Sequence, residues 1–268
     1  MSRLVALLLL GLALALPASL LVGRVWIDPF GPETRNAAVI LLELRLPRAV
    51  LAVLVGAGLG AAGAAVQGYL RNPLADPGLF GIAPGAALGA VLSMWAGYAA
   101  APFLLPLFAL IGAAGAMALL AVVARGRGGL RPVPVGGLVI ARPGGAPDDP
   151  ALLPAPTPFA MSEIVIWLMG ALADRSWRDV WIAAPLTLTG IAVLALAGRG
   201  LDALTLGEAA ARSLGTDPAR LRYLLIAGIG LTVGAGVAVA GIIGFVGLIV
   251  PHLVRPLTDR RPSSLLLP

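Results

Sequence analysis

Few polar side chains in this chain have the types and spacing that chemistry requires. His252 is the only histidine, and the sequence contains no cysteine. Protein metal centres combine several nitrogen, sulfur or carboxylate ligands. The isolated His252 therefore predicts no metal site, and we favour a structural hydrogen bond for its imidazole. The absence of cysteine also excludes disulfides and thiol nucleophiles.

The basic residues exclude two further kinds of function. All nineteen of them are arginine, whereas the phosphate-binding loop G-x-x-x-x-G-K-[ST] needs a lysine. The chain therefore cannot hold a nucleotide site of this type, and we predict neither a catalytic residue nor a cofactor. The formal net charge of +6 is spread over many short loops, so the sequence predicts no nucleic-acid partner.

The remaining polar residues mark helix ends or a polar route. Gln67 lies near the end of an apolar run, and a glutamine is costly to expose to lipid, so we expect it to face protein or a water-filled route. We interpret Asn72 and Pro73 as a helix stop, since proline cannot continue a helix and asparagine caps one. Pro251 and His252 follow a later apolar run, where we predict a second helix break.

Composition places these residues on membrane-spanning helices. Hydrophobic residues make up 59% of the chain and charged residues 12%, about half the charged share of ordinary soluble domains. Several uncharged runs reach the ~20 residues that span a bilayer. The sequence therefore predicts an all-α, polytopic transmembrane bundle in a lipid bilayer.

The apolar runs predict spans at residues 4–23, 49–70 and 180–198, and two more within 77–124, divided near 100–102. The first run resembles a signal peptide but is longer than the usual 7 to 15 apolar residues, so we interpret it as a retained helix. Residues 223–250 are too many for one simple span and predict a tilted helix or two short helices meeting near Gly241. If this region crosses twice, the arginine-rich loops gather on the cytoplasmic side.

Small residues recur at helical spacing in several of these spans. The sets are Gly56, Gly60 and Ala64; Gly81, Gly85 and Gly89; and Gly230 and Gly234. Two interpretations remain open: close helix packing, which small residues allow in lipid, or faces that line a pathway. Equal ten-residue spacings, Gly63 to Pro73 and Gly241 to Pro251, also suggest two related halves, as in many transporters.

Five blocks in order carry a family resemblance. They are Arg45-Leu-Pro-Arg48; Gln67 with Arg71 to Pro77 and Gly81 to Gly85; Trp167 to Gly170; Leu206 to Gly215; and Gly241 to Arg255. Together they resemble the FecCD-type permeases, the membrane subunits of ATP-driven importers for iron siderophores, haem and cobalamin. The resemblance implies one transmembrane permease domain over residues 1–268, of the type II ABC importer kind.

The resemblance also implies where partners bind. Residues 199–222 correspond to the family's cytoplasmic coupling loop, which docks on a separate ATPase subunit. The residues expected to couple are Leu206, Gly207, Glu208, Arg212, Leu214 and Gly215. A solvated interfacial helix is the alternative interpretation. Arg45 and Arg48 are expected to receive acidic residues of a periplasmic or extracellular substrate-binding protein, and snorkelling at the membrane edge explains them equally well.

The resemblance further implies a multi-pass protein of the bacterial plasma (inner) membrane, paired as a homodimer, that imports an iron chelate. A ferric siderophore is the first expectation, and haem or cobalamin are alternatives. A self-sufficient secondary transporter or channel is a competing hypothesis. Such a protein is expected to carry a charged relay inside the membrane, and the predicted spans have no charge in their interiors.

Two departures from the family pattern favour a third hypothesis, a truncated permease without activity. Residues 131–158 are rich in proline and glycine where similar proteins have a span, and a lipid-exposed helix cannot tolerate so many prolines. We interpret this segment as a local reading-frame disturbance, after which the resemblance resumes at Pro158. Similar permeases also continue for about two more spanning helices, so we expect the C-terminal helices to be missing.

Overall fold

The computed structural model of the chain describes residues 3–22, 34–98, 101–125 and 158–266. Every regular element in these ranges is helical, which confirms the predicted all-α class. The α-helices are α1 (Arg3–Leu21), α2 (Thr34–Val39), α3 (Leu46–Leu70), α4 (Ile82–Trp95), α5 (Leu104–Arg125), α6 (Pro158–Leu168), α7 (Trp177–Leu204), α8 (Glu208–Ser213), α9 (Pro218–Ala240), α10 (Val246–Val254) and α11 (Pro262–Leu266). The unusual stretch at residues 131–157 lies outside the described residues.

Five described helices are long and apolar enough to cross a membrane: α1, the continuous helical run from Ala37 to Leu70, α5, α7 and α9. The predicted spans at residues 4–23, 49–70 and 180–198 are thus confirmed. Of the two predicted within 77–124, α5 is long enough to cross, whereas α4 is a shorter apolar helix of 14 residues. α6 begins at Pro158, where the family resemblance resumes. Proline is favourable at the first position of a helix because its missing N–H has no partner there in any case.

α3 runs through the middle of the bundle and packs against α7, α9 and α10. Its central residues are alanine and glycine, and Ala62, Ala64 and Ala65 are fully buried. α1 differs, because no residue in its apolar window is buried. Small side chains therefore mark the helix that is enclosed by protein, and large aliphatic side chains mark the helix that faces lipid.

Close backbone contacts explain several of the small-residue sets. A methyl group on Gly89 would overlap the carbonyl oxygen of Phe108 in α5, and one on Gly230 would overlap the side chain of Met117 in α5. Outside these sets, a methyl group on Gly63 would overlap the carbonyl oxygen of Gly247 in α10. Gly56 differs, since a methyl group there would meet nothing within 4 Å. The packing interpretation is therefore confirmed for most of these glycines, but not for Gly56.

The region after α9 returns from the opposite end of the bundle toward the end of α3. Gly241 ends α9 with a φ of 73°, and residues 241–245 are not helical. α10 then begins at Val246 and leads to Arg255, which contacts Gln67 at the end of α3. The interpretation as two helices that meet near Gly241 is confirmed. This crossing is discontinuous, an arrangement that transporters use near their substrate routes.

The loops that connect the helices lie on two opposite sides of the bundle. Residues 71–81, 205–217 and 255–266 lie together, as Gly68 packs against Pro262 and Gly200 against Leu221. We call this side the basic face because most arginines of the described loops lie there. The other side, which carries Arg45 and Arg48, is the opposite face. By the positive-inside rule we expect the basic face to be cytoplasmic.

Candidate functional site

A short helix projects from the basic face between the two long helices α7 and α9. The predicted coupling loop, residues 199–222, is shorter in the structure, because α7 continues to Leu204 and α9 begins at Pro218. Charged side chains at a helix end reach water without ending the helix, so hydropathy alone ended α7 too early and began α9 too late. The true connection is residues 205–217, with α8 at its centre.

Local sequence determines the shape of this connection. Gly207 precedes α8 with a φ of 102°, and Gly215 follows it with a φ of 83°. Only glycine adopts such angles without strain. Arg212 donates to the carboxylate of Glu208 at 2.6 Å, one helical turn away, and Asp217 caps α9 by accepting from the amide of Ala219 at 2.8 Å. The predicted coupling residues therefore form one compact unit.

Two leucines stand out from this unit. Leu206 is 68% exposed and Leu214 is 66% exposed, one on each side of α8, whereas Ala211 is buried beneath the helix. Large apolar side chains that project from a folded, hydrogen-bonded turn are typical of anchors that insert into a partner. Beside them lies a cavity of about 870 Å³, lined by both leucines and by the side chains of Arg199, Arg220 and Arg261.

Asp202 ties this cavity to the last described helix. Its carboxylate accepts from the amide of Ser263 at 2.9 Å and from the hydroxyl of the same residue at 2.6 Å. The two bonds cap the start of α11 and attach it to the end of α7. In the turn before α11, the Ser264 hydroxyl and then the Arg261 amide hold the pKa of the Asp259 carboxyl below its usual value.

Gln67 is almost fully enclosed, at 1% exposure, as predicted for a glutamine that avoids lipid. Its amide nitrogen donates to the carbonyl of Leu248 at 3.1 Å, and its amide oxygen accepts from the guanidinium of Arg255 at 2.7 Å. Gln67 thus links the end of α3 to both ends of the helical part of the second crossing. Sequence reasoning did not identify Arg255 as its partner, because 188 residues separate the two.

α3 ends at Leu70, directly before the predicted helix stop, and one more residue is involved. Arg71 ends α3 in the left-handed conformation, with a φ of 50°, and the amide of Asn72 donates back to the carbonyl of Gln67. The side chain of Asn72 accepts from the amide of Leu74 at 3.0 Å. Asn72 therefore shapes a turn after the helix. Pro73 lies inside that turn, on the basic face.

The second predicted helix break is wrong in position. Pro251 lies inside α10, and the interruption comes earlier, at residues 241–245. Proline removes the hydrogen bond to the carbonyl four residues before it, which is that of Gly247, and this carbonyl packs against Gly63 instead. His252 is exposed, and its imidazole forms no hydrogen bond with the described residues, so its predicted structural bond is not seen. The described residues contain no cluster of metal-binding side chains.

The two arginines on the opposite face differ in their surroundings. The Nη1 group of Arg45 donates to the carbonyls of Leu20 and Leu21, at 2.7 and 3.0 Å. These carbonyls lie at the end of α1, where unpaired oxygens and the helix dipole favour a cation. Arg48 is exposed one turn later. Arg45 therefore has a structural role, because it caps the end of α1. The sequence pattern did not predict this role.

The π-helical stretch from Ile40 to Arg45 is also held by a long-range contact. The indole nitrogen of Trp177, at the start of α7, donates to the carbonyl of Leu42 at 3.0 Å. Nearby, Arg178 lies 3.5 Å from the carboxylate of Asp179. Trp177 and Arg178 were not among the predicted site residues, because a lone aromatic or arginine at a helix start has many structural explanations.

This arrangement is a bundle with a projecting basic-face helix, a discontinuous crossing and cationic side chains opposite. A sequence model of the FecCD transport family matches residues 3–268, nearly the whole chain. The chain belongs to the FecCD transport family. It is therefore a multi-pass membrane permease of the ABC importer type, as the resemblance implied.

Named relatives of this FecCD permease agree with that assignment. The vitamin B12 import system permease protein BtuC of Serratia proteamaculans is 38% identical, over 95% of this chain and 77% of the relative. The Fe(3+)-citrate import system permease protein YfmE of Bacillus subtilis is 35% identical, over 91% of this chain and 75% of the relative. The chain thus spans about three quarters of the length of these relatives.

A solved structure shows the same fold. It is described as an inward-facing conformation of a metal-chelate type ABC transporter, and it superposes with a TM-score of 0.86 at 31% sequence identity. The superposition covers 97% of this chain and 84% of the solved chain. The helical bundle described above is therefore the arrangement of an ABC transporter permease.

Proposed function

We propose that this FecCD permease is the membrane subunit of an ATP-driven importer that carries a ferric siderophore across the bacterial inner membrane. A separate ATPase subunit supplies the energy, since the chain has no lysine for a phosphate-binding loop of the usual type. A substrate-binding protein delivers the chelate at the opposite face. A second copy of the chain completes the channel, so that the substrate passes between two subunits.

The projecting helix α8 carries the proposal for the ATPase. It follows α7 and precedes α9 through short connections, and Gly200 of α7 packs closely against Leu221 of α9 at the base of the loop. A partner that binds Leu206 and Leu214 would therefore move α7 and α9 together. The alternative, a merely solvated helix, does not explain why two large apolar side chains are exposed there.

The opposite face supports binding of a soluble partner through Arg48. This side chain is exposed, and an arginine pairs well with carboxylates in a bidentate geometry. Arg45 contributes indirectly, because its bonds to the end of α1 hold the chain that leads into α3. The acidic partner surface is therefore expected to contact Arg48 first.

Cobalamin is the second candidate substrate. It is favoured by the relatives named as vitamin B12 permeases, among them the Serratia protein, whereas the iron chelate is favoured by the Fe(3+)-citrate permease YfmE. Both substrates are large metal chelates. Uptake of radiolabelled ferric siderophore and of labelled cobalamin into proteoliposomes, with the matching binding protein inside or outside, distinguishes the two.

Coupling is tested with a pair of variants on α8. Leu214→Asp places a charge where an apolar anchor is proposed, and we expect loss of co-purification with the ATPase and of ATP hydrolysis stimulated by the binding protein. Ser213→Ala is the matched control, since its hydroxyl donates only to the carbonyl of Ala209 in the same helix. If the complex with Leu214→Asp still assembles and hydrolyses ATP at the normal rate, α8 does not couple the permease to the ATPase.

A further inference from the structure

We propose that the non-helical stretch Ile242–Phe245 lines the water-filled substrate route inside the membrane. This inference deepens the proposed import function and rests on it, because it assigns a pathway segment to a permease. It concerns neither the coupling helix nor the binding-protein surface. Three separate observations lead to it: the depth of the stretch, its hydrogen bonds and the conformation of Phe245.

The first observation is the depth of the stretch. It begins at the opposite face, where the carbonyl of Ala240 accepts from the amide of Ala171 at 2.7 Å. It ends where Gly247 packs against Gly63 and the backbone of Leu59. Gly63 lies seven residues before the end of α3, which is about 10 Å at 1.5 Å per residue. The stretch therefore begins at the opposite face, where Ile242 packs against Gly170, and leads into the membrane, with Gly244 and Phe245 as its deeper end.

The second observation is a row of backbone donors without protein acceptors. The amides of Ile242, Ile243, Gly244 and Phe245 donate to no acceptor among the described residues. Gly244 and Phe245 are exposed, so these groups are not sealed inside the bundle. An unpaired backbone group costs several kcal/mol in lipid, and non-helical backbone at this depth occurs only where protein or water covers it. Ile242 and Ile243 pack against the core of the bundle. We therefore assign the exposed amides of Gly244 and Phe245 to the aqueous route.

The third observation is the conformation of Phe245. Its φ of 66° lies in the left-handed region, which is uncommon for a large side chain. Such strain persists only where the surrounding structure or a function maintains it. Side-chain packing among the described residues does not explain it, because the Phe245 side chain is 72% exposed. The left-handed turn instead directs the aromatic ring away from the bundle at the point where α10 begins.

These groups suit one class of substrate. The neighbouring amides of Gly244 and Phe245 can hydrogen-bond to carboxylate, carbonyl or hydroxamate oxygens on the surface of a metal chelate. The exposed ring of Phe245 offers an apolar face beside them, as ligand sites commonly combine a few polar groups with aromatic walls. We therefore expect the stretch to contact oxygen-bearing chelates as they pass between the two subunits.

The chain has no cysteine, so single cysteines can report on water access. Gly244→Cys is sterically open, because a Cβ atom there would meet nothing within 4 Å, and Phe245→Cys tests the ring position. Leu188→Cys is the control, because Leu188 is 58% exposed on the outer side of α7. It follows Thr187, which packs against Gly58 of α3, so it lies at a similar depth.

Each variant is assembled with the ATPase in liposomes and treated with a charged, membrane-impermeant methanethiosulfonate reagent. We expect the cysteines at positions 244 and 245 to react at least ten-fold faster than the one at 188. Rates as slow as the control at both positions would overturn the proposal. If Phe245→Cys fails to assemble, Gly244→Cys decides alone. Labelling requires no uptake, so a wrong substrate assignment and a wrong pathway assignment give different results.

Discussion

The bond between Gln67 and Arg255 offers a direct test of how the discontinuous crossing is held against α3. Gln67 donates to the carbonyl of Leu248 and accepts from Arg255, so one side chain joins two points of the returning segment. Gln67→Leu keeps most of the volume and removes both bonds. The guanidinium of Arg255 would lose its acceptor while its Nε atom is already buried without a partner among the described residues.

The magnitude follows from the kinds of bond that are lost. A hydrogen bond to a charged group contributes about 1.5–3 kcal/mol, whereas bonds between helices in a membrane average about 0.6 and reach about 1.7 kcal/mol. The pair is charged but lies near the end of a span, where water competes. We therefore expect a coupling energy between Gln67 and Arg255 of about 1.5 kcal/mol, from the overlap of these two ranges.

A double-mutant cycle measures this value. The free energies of unfolding of the wild type, Gln67→Leu, Arg255→Met and the double variant are obtained by titration with denaturing detergent in mixed micelles. Gln67→Glu serves as the control, because a carboxylate still accepts from Arg255 but cannot donate to Leu248. Its stability should lie between those of the wild type and Gln67→Leu.

Additive effects would refute the reasoning. If the two single changes sum to the double change within about 0.3–0.5 kcal/mol, the pair contributes nothing of its own. Gln67 would then be buried for its volume alone, and Arg255 would serve the membrane edge. A Gln67→Glu variant as unstable as Gln67→Leu would separately show that the bond to Leu248 is the one that matters.

Two further predictions concern other contacts between helices. Gly89→Ala should lower the free energy of unfolding by about 1–3 kcal/mol, because its methyl group would overlap the carbonyl of Phe108. Gly56→Ala, where a methyl group meets nothing within 4 Å, should instead leave the free energy of unfolding unchanged or raise it by up to about 1 kcal/mol. The same detergent titration compares the two variants. Equal losses of stability in both would contradict the packing argument. Trp177→Phe should lower the free energy of unfolding by about 1 kcal/mol, because it removes the hydrogen bond to the carbonyl of Leu42. The melting temperature reports this loss, and an unchanged value would show that the bond does not hold the π-helical stretch.

The local features of this protein were predictable because they depend on short windows of sequence. Apolar runs of about 20 residues predict spans wherever they occur, and the stop after Gln67 follows from Asn72 and Pro73. The place of Glu208 near the start of α8 also follows from a short window, whereas Gly207 and Gly215 were expected only from the family resemblance. The error at Pro251 has a related cause, since a proline inside a helix and a proline after one look alike in a local pattern.

Contacts between distant residues were not predictable in this way. The partner of Gln67, the overlap of Gly63 with Gly247 and the task of Arg45 at the end of α1 depend on how each helix is rotated and how deep it lies. Hydropathy contains no information about either quantity, because lipid-facing and protein-facing residues are both apolar in a membrane.

The amino-acid sequence alone determined the membrane class, the positions of the described spans and the absence of a lysine-based phosphate loop. The tertiary structure decided which glycines touch, which polar groups pair and where the last crossing loses its helix. Backbone hydrogen bonds within a helix are satisfied by neighbours in sequence. The unpaired amides of residues 242–245 become visible only when the whole bundle shows that no acceptor in the described chain reaches them.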